Sequence, residues 1–311
     1  MKHIFLLNPA AGKGRNIPRL LPRIRAASRN TGIPYTLYET KASGDAVSLI
    51  QRCASTGETF RFYACGGDGT LNEAVHGALQ HPNVEIACVP CGTGNDFVRS
   101  FGGAARFFPL EKQMRSSAHP IDVITSNTGK IAVNIVNIGF DCNVADGAQD
   151  MKQLPLVSGK LAYFLSLADE FTRPIWQNMA ISTDNNSVQV GNFLLCAVGN
   201  GGYCGGGFRA LPHANVSDGL LDVSTVRAMP RREILPLLPY YRTGSYLSHP
   251  AAQKYVHTER CKQVYIRTPH PVRVSFDGEI IRTDSLKLQV QPKAVRFCIP
   301  VAATHCATSP R

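Results

Sequence analysis

Four stretches of this 311-residue chain set a carboxylate inside or beside a glycine turn, and that pairing is where chemistry would be sought. Asp68 lies within Gly66-Gly67-Asp68-Gly69-Thr70, and Asp96 closes Gly92-Thr93-Gly94-Asn95-Asp96. Asp218 precedes Gly219, and Asp277 and Glu279 flank Gly278. Glycine lets a backbone adopt positive φ or approach a ligand closely, so such turns offer bare N–H groups to phosphate oxygens. An acid beside phosphate repels it unless a cation lies between, so Asp68 and Asp96 point to Mg²⁺ or a water network. Neither turn is a G-x-x-x-x-G-K-[ST] loop or a dinucleotide G-x-G-x-x-G. Read alone, Asp218-Gly219 and Asp277-Gly278 are β-turns.

The elements that must hold these residues follow from periodicity. Arg61 to Cys65 and Val84 to Pro90 are short apolar runs, each delivering a glycine turn as a buried strand does. Between them Leu71, Val75, Ala78 and Leu79 recur at helical spacing, with Thr70 and Glu73 spaced as a capping box. Strand, turn, helix and strand make a βαβ unit that brings a helix N-terminus beside a phosphate. Upstream, residues 4–7 form a strand entering Asn8-Pro9-Ala10-Ala11-Gly12-Lys13-Gly14. A helix follows with Leu20, Ile24 and Ala27 on one face, then a strand near Tyr35 to Tyr38 and a helix from about Gly44 to Cys53. This alternation predicts a parallel sheet covered on both faces over residues 1–120.

From Ile121 the rhythm becomes successive strands: Ile121 to Thr125, Ile131 to Ile138, Met179 to Thr183, Ser187 to Val198, Leu220 to Val226, Lys262 to Arg267, Val272 to Phe276 and Leu286 to Val290. A β-sandwich over residues 121–295 is the expectation. Two helical pieces, from about Gly159 to Phe171 and Arg231 to Tyr246, carry apolar stripes that serve as core contacts or line an apolar entrance.

The chain has 33 basic against 22 acidic residues, a net charge of +11, which favours polyanionic partners. Arg15, Arg19, Arg23, Arg25 and Arg29 share one predicted helix, read either as a solvated face or as a contact for anionic headgroups. No apolar run is long enough to span a bilayer, and Met1 to Leu7 has too short an apolar core for a signal peptide. Ten scattered cysteines fit reduced thiols in the cytosol, and the single C-x-x-C of Cys88 and Cys91 reads as strand packing. No aromatic-plus-basic module for nucleic acid is present.

GGDGT at 66–70 followed by Asn72-Glu73, together with GTGND at 92–96, resembles the diacylglycerol kinase catalytic-domain family, which includes bacterial lipid kinases and sphingoid kinases. Further blocks agree in order: Asn137-Ile138-Gly139-Phe140-Asp141, Gly199-Asn200-Gly201-Gly202-Tyr203 with Gly205-Gly206-Gly207, Pro212 to Asp222, and Asp277-Gly278-Glu279. The resemblance implies an N-terminal three-layer α/β nucleotide-binding domain, completed by residues 296–311, and a C-terminal β-sandwich, with the active site in the cleft between them. It implies ATP as phosphoryl donor, Mg²⁺, and a lipid alcohol as acceptor, with diacylglycerol first. Asn8 and Lys13 would lie near the phosphates with Gly66, Gly67, Asp68, Gly69, Thr70, Asn72, Glu73, Gly92, Thr93, Gly94, Asn95 and Asp96. Asp68 would sit on the nucleotide and magnesium side. Asp277 corresponds to the family's general base, with Glu279 beside it, so Asp277→Ala is expected to abolish transfer in a folded protein. Asp218 would hold a structural Mg²⁺ with carbonyl oxygens of Asn215 and Leu220. The resemblance further implies a cytoplasmic protein, peripheral at an anionic membrane surface, with a homodimer among its assemblies. Two alternatives share parts of this pattern: an NAD kinase, through GGDGT, and a non-catalytic nucleotide or lipid sensor keeping the fold.

Overall fold

The computed structural model describes residues 1–14, 16–151, 165, 166 and 168–300. These form two units, one of Met1–Gly92, Phe101–His119 and the chain from Arg296, the other of Thr93–Ser100 and Pro120–Val295.

In the first unit β1 (Lys2–Leu7), β2 (Thr36–Glu39), β3 (Phe60–Gly66) and β4 (Val84–Pro90) alternate with α1 (Ile17–Thr31), α2 (Asp45–Ala54) and α3 (Asp68–Ala78), and α4 (Leu110–Arg115) follows. The strands run parallel in the order β2-β1-β3-β4, and Arg296 and Phe297 pair in parallel beyond β4. Every residue of β3 and β4 is buried, as expected of strands covered on both faces. α1 turns Leu20, Ile24 and Ala27 inward, and burying the Leu and Ile contributes roughly 1.5–3 kcal/mol each. Arg19, Arg23, Arg25 and Arg29 occupy its exposed side. The buried Arg61 gives Nε and Nη2 to Glu85 Oε2 at 2.9 and 2.6 Å and donates to the carbonyls of Gln113, Met114 and Ser116. With its donors matched in this way, the ion pair fixes α4 to the sheet instead of leaving a charge uncompensated.

The second unit contains β6 (Ile131–Ala132), β7 (Ile135–Gly139), β8 (Gln177–Thr183), β9 (Val188–Gly199), β10 (Leu221–Arg227), β11 (Val256–Cys261) and β12 (Gln263–Phe276), most of β5 (Ala118–Ser126) and of β13 (Glu279–Cys298), whose outer ends belong to the first unit, and α5 (Phe140–Met151) and α6 (Arg231–Thr243). Residues 188–193 of β9 pair with β8, and residues 195–199 with β7. In the same way β12 pairs with β8 through residues 264–267 and with β7 through 274–276. Long strands that change partner midway make the corners of a sandwich. In β12 the change coincides with a register shift between Arg267 and Val272, where Pro269 and Pro271 remove ladder donors. Met179, Phe193, Val198, Val264, Phe276 and Leu288 form the core between the layers.

The structure departs from the sequence expectations at several points. α3 begins at Asp68 with Gly67 as N-cap and no side-chain cap, so Thr70 lies inside the first turn and makes no capping box. Ile131 to Ile138 is broken into β6 and β7, whereas the segments 262–267 and 272–276 are one strand. β11 has no sequence signal, since Val-His-Thr-Glu-Arg-Cys lacks apolar alternation; it pairs with β10 at a sheet edge, where charge discourages further pairing. α5 follows β7 without a loop and carried no distinct helical signal. The expected helix from Gly159 lies largely outside the described residues.

Candidate functional site

In the first unit, β1, β3 and β4 each release a turn at their C-terminal ends, the edge where parallel α/β sheets bind ligands. Asn8 Nδ2 donates to Thr70 Oγ1 at 2.8 Å, and Asn16 Nδ2 donates to the Cys91 carbonyl at 2.7 Å. The N–H groups of Cys91 and Gly92 both reach the Gly66 carbonyl, at 2.8 and 3.2 Å. The turn after β1, the GGDGT turn and the start of the GTGND turn are therefore one hydrogen-bonded group at the N-terminus of α3. Gly66 is required by close approach: a Cβ there would stand 2.1 Å from Thr70 Oγ1. The positive φ expected at these glycines is not found at Gly66, Gly67 or Gly69.

Asn8, Gly66, Gly67, Asp68, Gly69, Thr70 and Gly92 are thus brought together, with Lys13 in the short 3-10 turn Ala11–Gly14 after β1. Asn72 and Glu73 follow one turn along α3, and Glu73 Oε1 accepts a bond from Ser43 Oγ at 3.1 Å. First-turn N–H groups and the positive end of a helix suit phosphate. Asp68 fits Mg²⁺ by donor type, since that ion characteristically takes one or two carboxylates, substrate phosphates and waters. Cys88 is buried and Cys91 partly so, and burial pushes both thiols up, which leaves packing as their role. Among the described residues no group of three or more His, Cys, Asp or Glu is arranged to hold a metal.

Thr93, Gly94, Asn95 and Asp96 belong to the second unit. Asn95 adopts φ 50°, the left-handed conformation that Asn tolerates. Asp96 Oδ2 accepts the Gly206 N–H at 2.8 Å, and Oδ1 pairs with Arg99 Nε at 3.1 Å. Burial raises the Asp96 pKa against the lowering effect of Gly206 and Arg99. Asp96 therefore fastens the GTGND turn to the glycine-rich segment, a connection that the sequence reading did not make.

Asp277 and Gly278 have φ 50° and 96° and link Phe276 to Glu279 as a two-residue hairpin turn of the primed type. The Asp277 carboxylate accepts three backbone N–H groups, from Val133 on Oδ2 at 2.7 Å and from Asn134 and Ile135 on Oδ1 at 3.1 and 2.9 Å. It holds the bend between β6 and β7. Glu279 is the other acid of the turn; its side chain is 59% exposed and paired with Lys130.

Asp218 was expected to hold Mg²⁺ with Asn215 and Leu220. Its Oδ1 instead accepts the Leu220 N–H at 3.1 Å, and its Oδ2 pairs with Arg260, whose Nε also lies 3.6 Å from Asp222 Oδ2. Asn215 Oδ1 is taken up by Ser217 N–H and Oγ. A guanidinium thus stands against the Asp218 carboxylate, while these bonds leave the carbonyl oxygens of Asn215 and Leu220, the other expected ligands, unengaged. The buried residue at this turn is one the sequence reading missed. Asp122 is fully buried and accepts Gly219 N–H at 2.6 Å and Lys293 N–H at 2.7 Å. Its own carbonyl accepts from Asn200 Nδ2, so the glycine-rich block and the Asp218 turn meet on one strand.

The second unit also contains an apolar cavity of about 70 Å³. Phe140 and Val144 of α5, Leu194 of β9, and Ile234, Leu237 and Tyr241 of α6 line it. α6 is thus one of the two helices expected to line an apolar entrance. Asp141 is the only carboxylate among the described lining residues.

Residues 2–126 match the family model described as the diacylglycerol kinase catalytic domain, and residues 134–299 match the YegS C-terminal NAD kinase beta sandwich-like domain. A "probable lipid kinase YegS-like" of Shewanella frigidimarina is 31% identical over 241 residues, covering 76% of this chain and 75% of that protein. One of the same description from Pseudomonas aeruginosa is 29% identical over 293 residues, covering 92% and 91%. Among solved structures, that of "a putative diacylglycerol kinase" from Bacillus anthracis superposes with a TM-score of 0.73 at 26% identity, covering 96% of both chains.

Proposed function

This chain belongs to the YegS-like diacylglycerol kinase catalytic-domain family, and from that premise we propose that it is a lipid kinase that transfers the γ-phosphoryl group of ATP to the hydroxyl of a lipid alcohol, diacylglycerol first. The observation that carries the reading is the group of three turns at the C-terminal ends of β1, β3 and β4, with Asp68 in the first turn of α3. Phosphoryl transfer of this kind is mostly positioning and charge neutralisation. Backbone N–H groups of the turns would orient the phosphates, and Asp68 would hold Mg²⁺. When bound, Mg²⁺ neutralises charge on the phosphate oxygens. The apolar cavity beside α6 supports a lipid acceptor, and the exposed arginines of α1 are the surface offered to anionic headgroups.

The proton of the attacking hydroxyl is assigned to Glu279. Asp277, the residue expected for this step, has both carboxylate oxygens engaged by backbone N–H groups, and accepting a proton would weaken all three bonds. Glu279 is solvent-facing and pairs with the exposed Lys130. A carboxylate is a weak base for an alcohol, so it orients the hydroxyl and accepts the proton late.

Purified protein would be incubated with γ-labelled ATP, Mg²⁺, total membrane lipid and NAD, with Asp68→Ala alongside. Label in the organic phase, absent from the variant, is the expected result. Label in NADP, or organic-phase label equal in the variant, would overturn the reading.

A further inference from the structure

We propose that the outer face of α6, together with Trp176, is the surface by which the second unit docks on an anionic lipid bilayer, with Leu235, Pro239 and Tyr240 entering the headgroup layer. The proposal rests on the lipid kinase reading and adds the surface that meets the membrane.

Helical spacing sets the stripe. Arg232, Leu235, Pro236, Pro239 and Arg242 recur at intervals that place them on one side of α6, and all are exposed. Ile234 and Leu237, on the other side, are buried in the core of the unit. Tyr240 rests against His249 with ring centroids 4.2 Å apart, and the Arg231 guanidinium stands 5.8 Å over the Trp176 ring. Arg231 also donates to the Arg173 carbonyl at 2.6 Å, which ties the segment before β8 to the start of α6. Leu235 is 54% exposed, Tyr240 40% and Trp176 37%. Large apolar side chains gathered on one face and rimmed by polar groups mark an interaction surface.

Charge and backbone chemistry decide what covers this face. Arg232 and Arg242 stand at the two ends of the apolar stretch, and their long side chains can reach lipid phosphates while the residues between them sit lower. The acids Glu233 and Asp169 are already matched, by Lys254 at 3.2 Å and Arg173 at 2.8 Å, so the face offers positive charge. Indole and phenol rings favour the boundary between hydrocarbon and water. Pro236 and Pro239 carry no N–H, which leaves the carbonyls of Arg232 and Leu235 without their usual helical donors. Such carbonyls suit the wet headgroup depth and not the hydrocarbon core, so the helix lies shallowly. A second copy of the chain fits poorly, because a two-fold contact along the stripe would set Arg232 of one copy against Arg242 of the other. The exposed side of α1 offers chiefly arginine, which attracts headgroups by charge, whereas α6 adds side chains that insert.

The test titrates the full chain, without ATP, with vesicles of phosphatidylcholine alone or containing about one third phosphatidylglycerol. Trp176 is the single tryptophan of the chain, so its fluorescence reports on the proposed surface directly. With the anionic vesicles its emission is expected to move to shorter wavelength and to be quenched by phosphatidylcholine brominated on the acyl chains. Leu235→Ser combined with Tyr240→Ser should weaken binding at least about tenfold. Arg232→Gln combined with Arg242→Gln should do the same, since each basic residue accounts for about fivefold, and both double variants should keep the wild-type melting curve. Raising salt from about 0.1 M to about 0.5 M should weaken wild-type binding. Absence of binding, binding that leaves Trp176 emission unmoved, or loss of binding only with Arg19→Gln and Arg23→Gln in α1 would each overturn the proposal. So would a dimer, seen by analytical ultracentrifugation, that the Leu235 and Tyr240 substitutions dissociate, because that result gives the face to a second copy. Phosphoryl transfer to diacylglycerol in detergent micelles, followed in parallel, keeps the two readings apart. Transfer by a protein that ignores vesicles contradicts the docking surface alone, and docking without transfer contradicts the kinase reading alone.

Discussion

Replacing Asp277 by alanine removes one side chain and strands three backbone donors. Val133, Asn134 and Ile135 are 1%, 5% and 3% exposed, so their N–H groups have no easy route to water. A hydrogen bond to a charged acceptor contributes about 1.5–3 kcal/mol, and water entering the gap left by the carboxylate recovers part of that. Alanine must also adopt φ 50°, at a cost of about 1 kcal/mol that Asp or Asn largely avoids. Together these give roughly 3–5 kcal/mol lost from the second unit, or about 8–15 °C in Tm at this size. Asp277→Asn keeps one acceptor oxygen and the tolerated backbone, and should lose less than half as much. Thermal unfolding followed by circular dichroism, with tryptophan fluorescence reporting on the second unit through Trp176, makes the comparison. Asp277→Ala melting within about 1 °C of wild type would refute the reasoning and return Asp277 to the catalytic role expected from the sequence.

Chelation should leave the wild-type melting temperature unchanged, because Arg260 already neutralises Asp218; Arg260→Gln should melt lower and regain stability with added Mg²⁺, and a chelator-sensitive wild type would contradict this. His3, buried beside Arg61 and bonded to Tyr63, has its pKa lowered from 6.5 to about 4, chiefly by burial. The unfolded chain then binds more protons between those values, so stability is full above about 6.5 and falls as pH drops toward 4, by roughly 1–2 kcal/mol after discounting for solvent screening. His3→Gln should show a correspondingly smaller loss between neutral and acid urea titrations. Asp141 works in the opposite sense: its raised pKa destabilises the fold as pH rises from 3.8 toward 7, so Asp141→Asn should gain on the order of 2 kcal/mol at about pH 8 and little at about pH 3.5.

The parts of this molecule that were legible in advance are those whose evidence is local in the chain. The turns at Gly66 and Gly92 stand next to the strands that deliver them, so their residue types and spacing announced the βαβ unit on which the phosphate site is proposed. The roles of the acids were not legible, because acids recruit partners from far along the sequence. Asp277 takes its N–H donors from residues 142 to 144 positions earlier, and Arg260 lies 42 positions from Asp218. A D-G pair reads the same whether its carboxylate faces a metal, a substrate or a distant backbone. Asp122 follows the same rule: a polar residue alternating with Ile121 and Val123 has the pattern of an outward strand position, yet its carboxylate ties Gly219 to Lys293. Cap chemistry misled as well. Thr70 and Glu73 have capping-box spacing, but Asn8 and Ser43 claim their side chains.

The central claim is phosphoryl transfer to a neutral lipid hydroxyl with Glu279 as proton acceptor. Its most direct test follows conversion of diacylglycerol to its phosphate by mass spectrometry, using ATP and Mg²⁺ with wild type and Glu279→Gln. Because the Glu279 ion pair with Lys130 is solvent-exposed, the variant should melt as wild type does. The account predicts phosphorylated lipid from wild type and a loss of roughly a hundredfold or more in the variant, the usual scale for removing a general base. Equal rates from the two proteins, or no phosphorylated lipid from a wild type that binds both ATP and diacylglycerol, would contradict it.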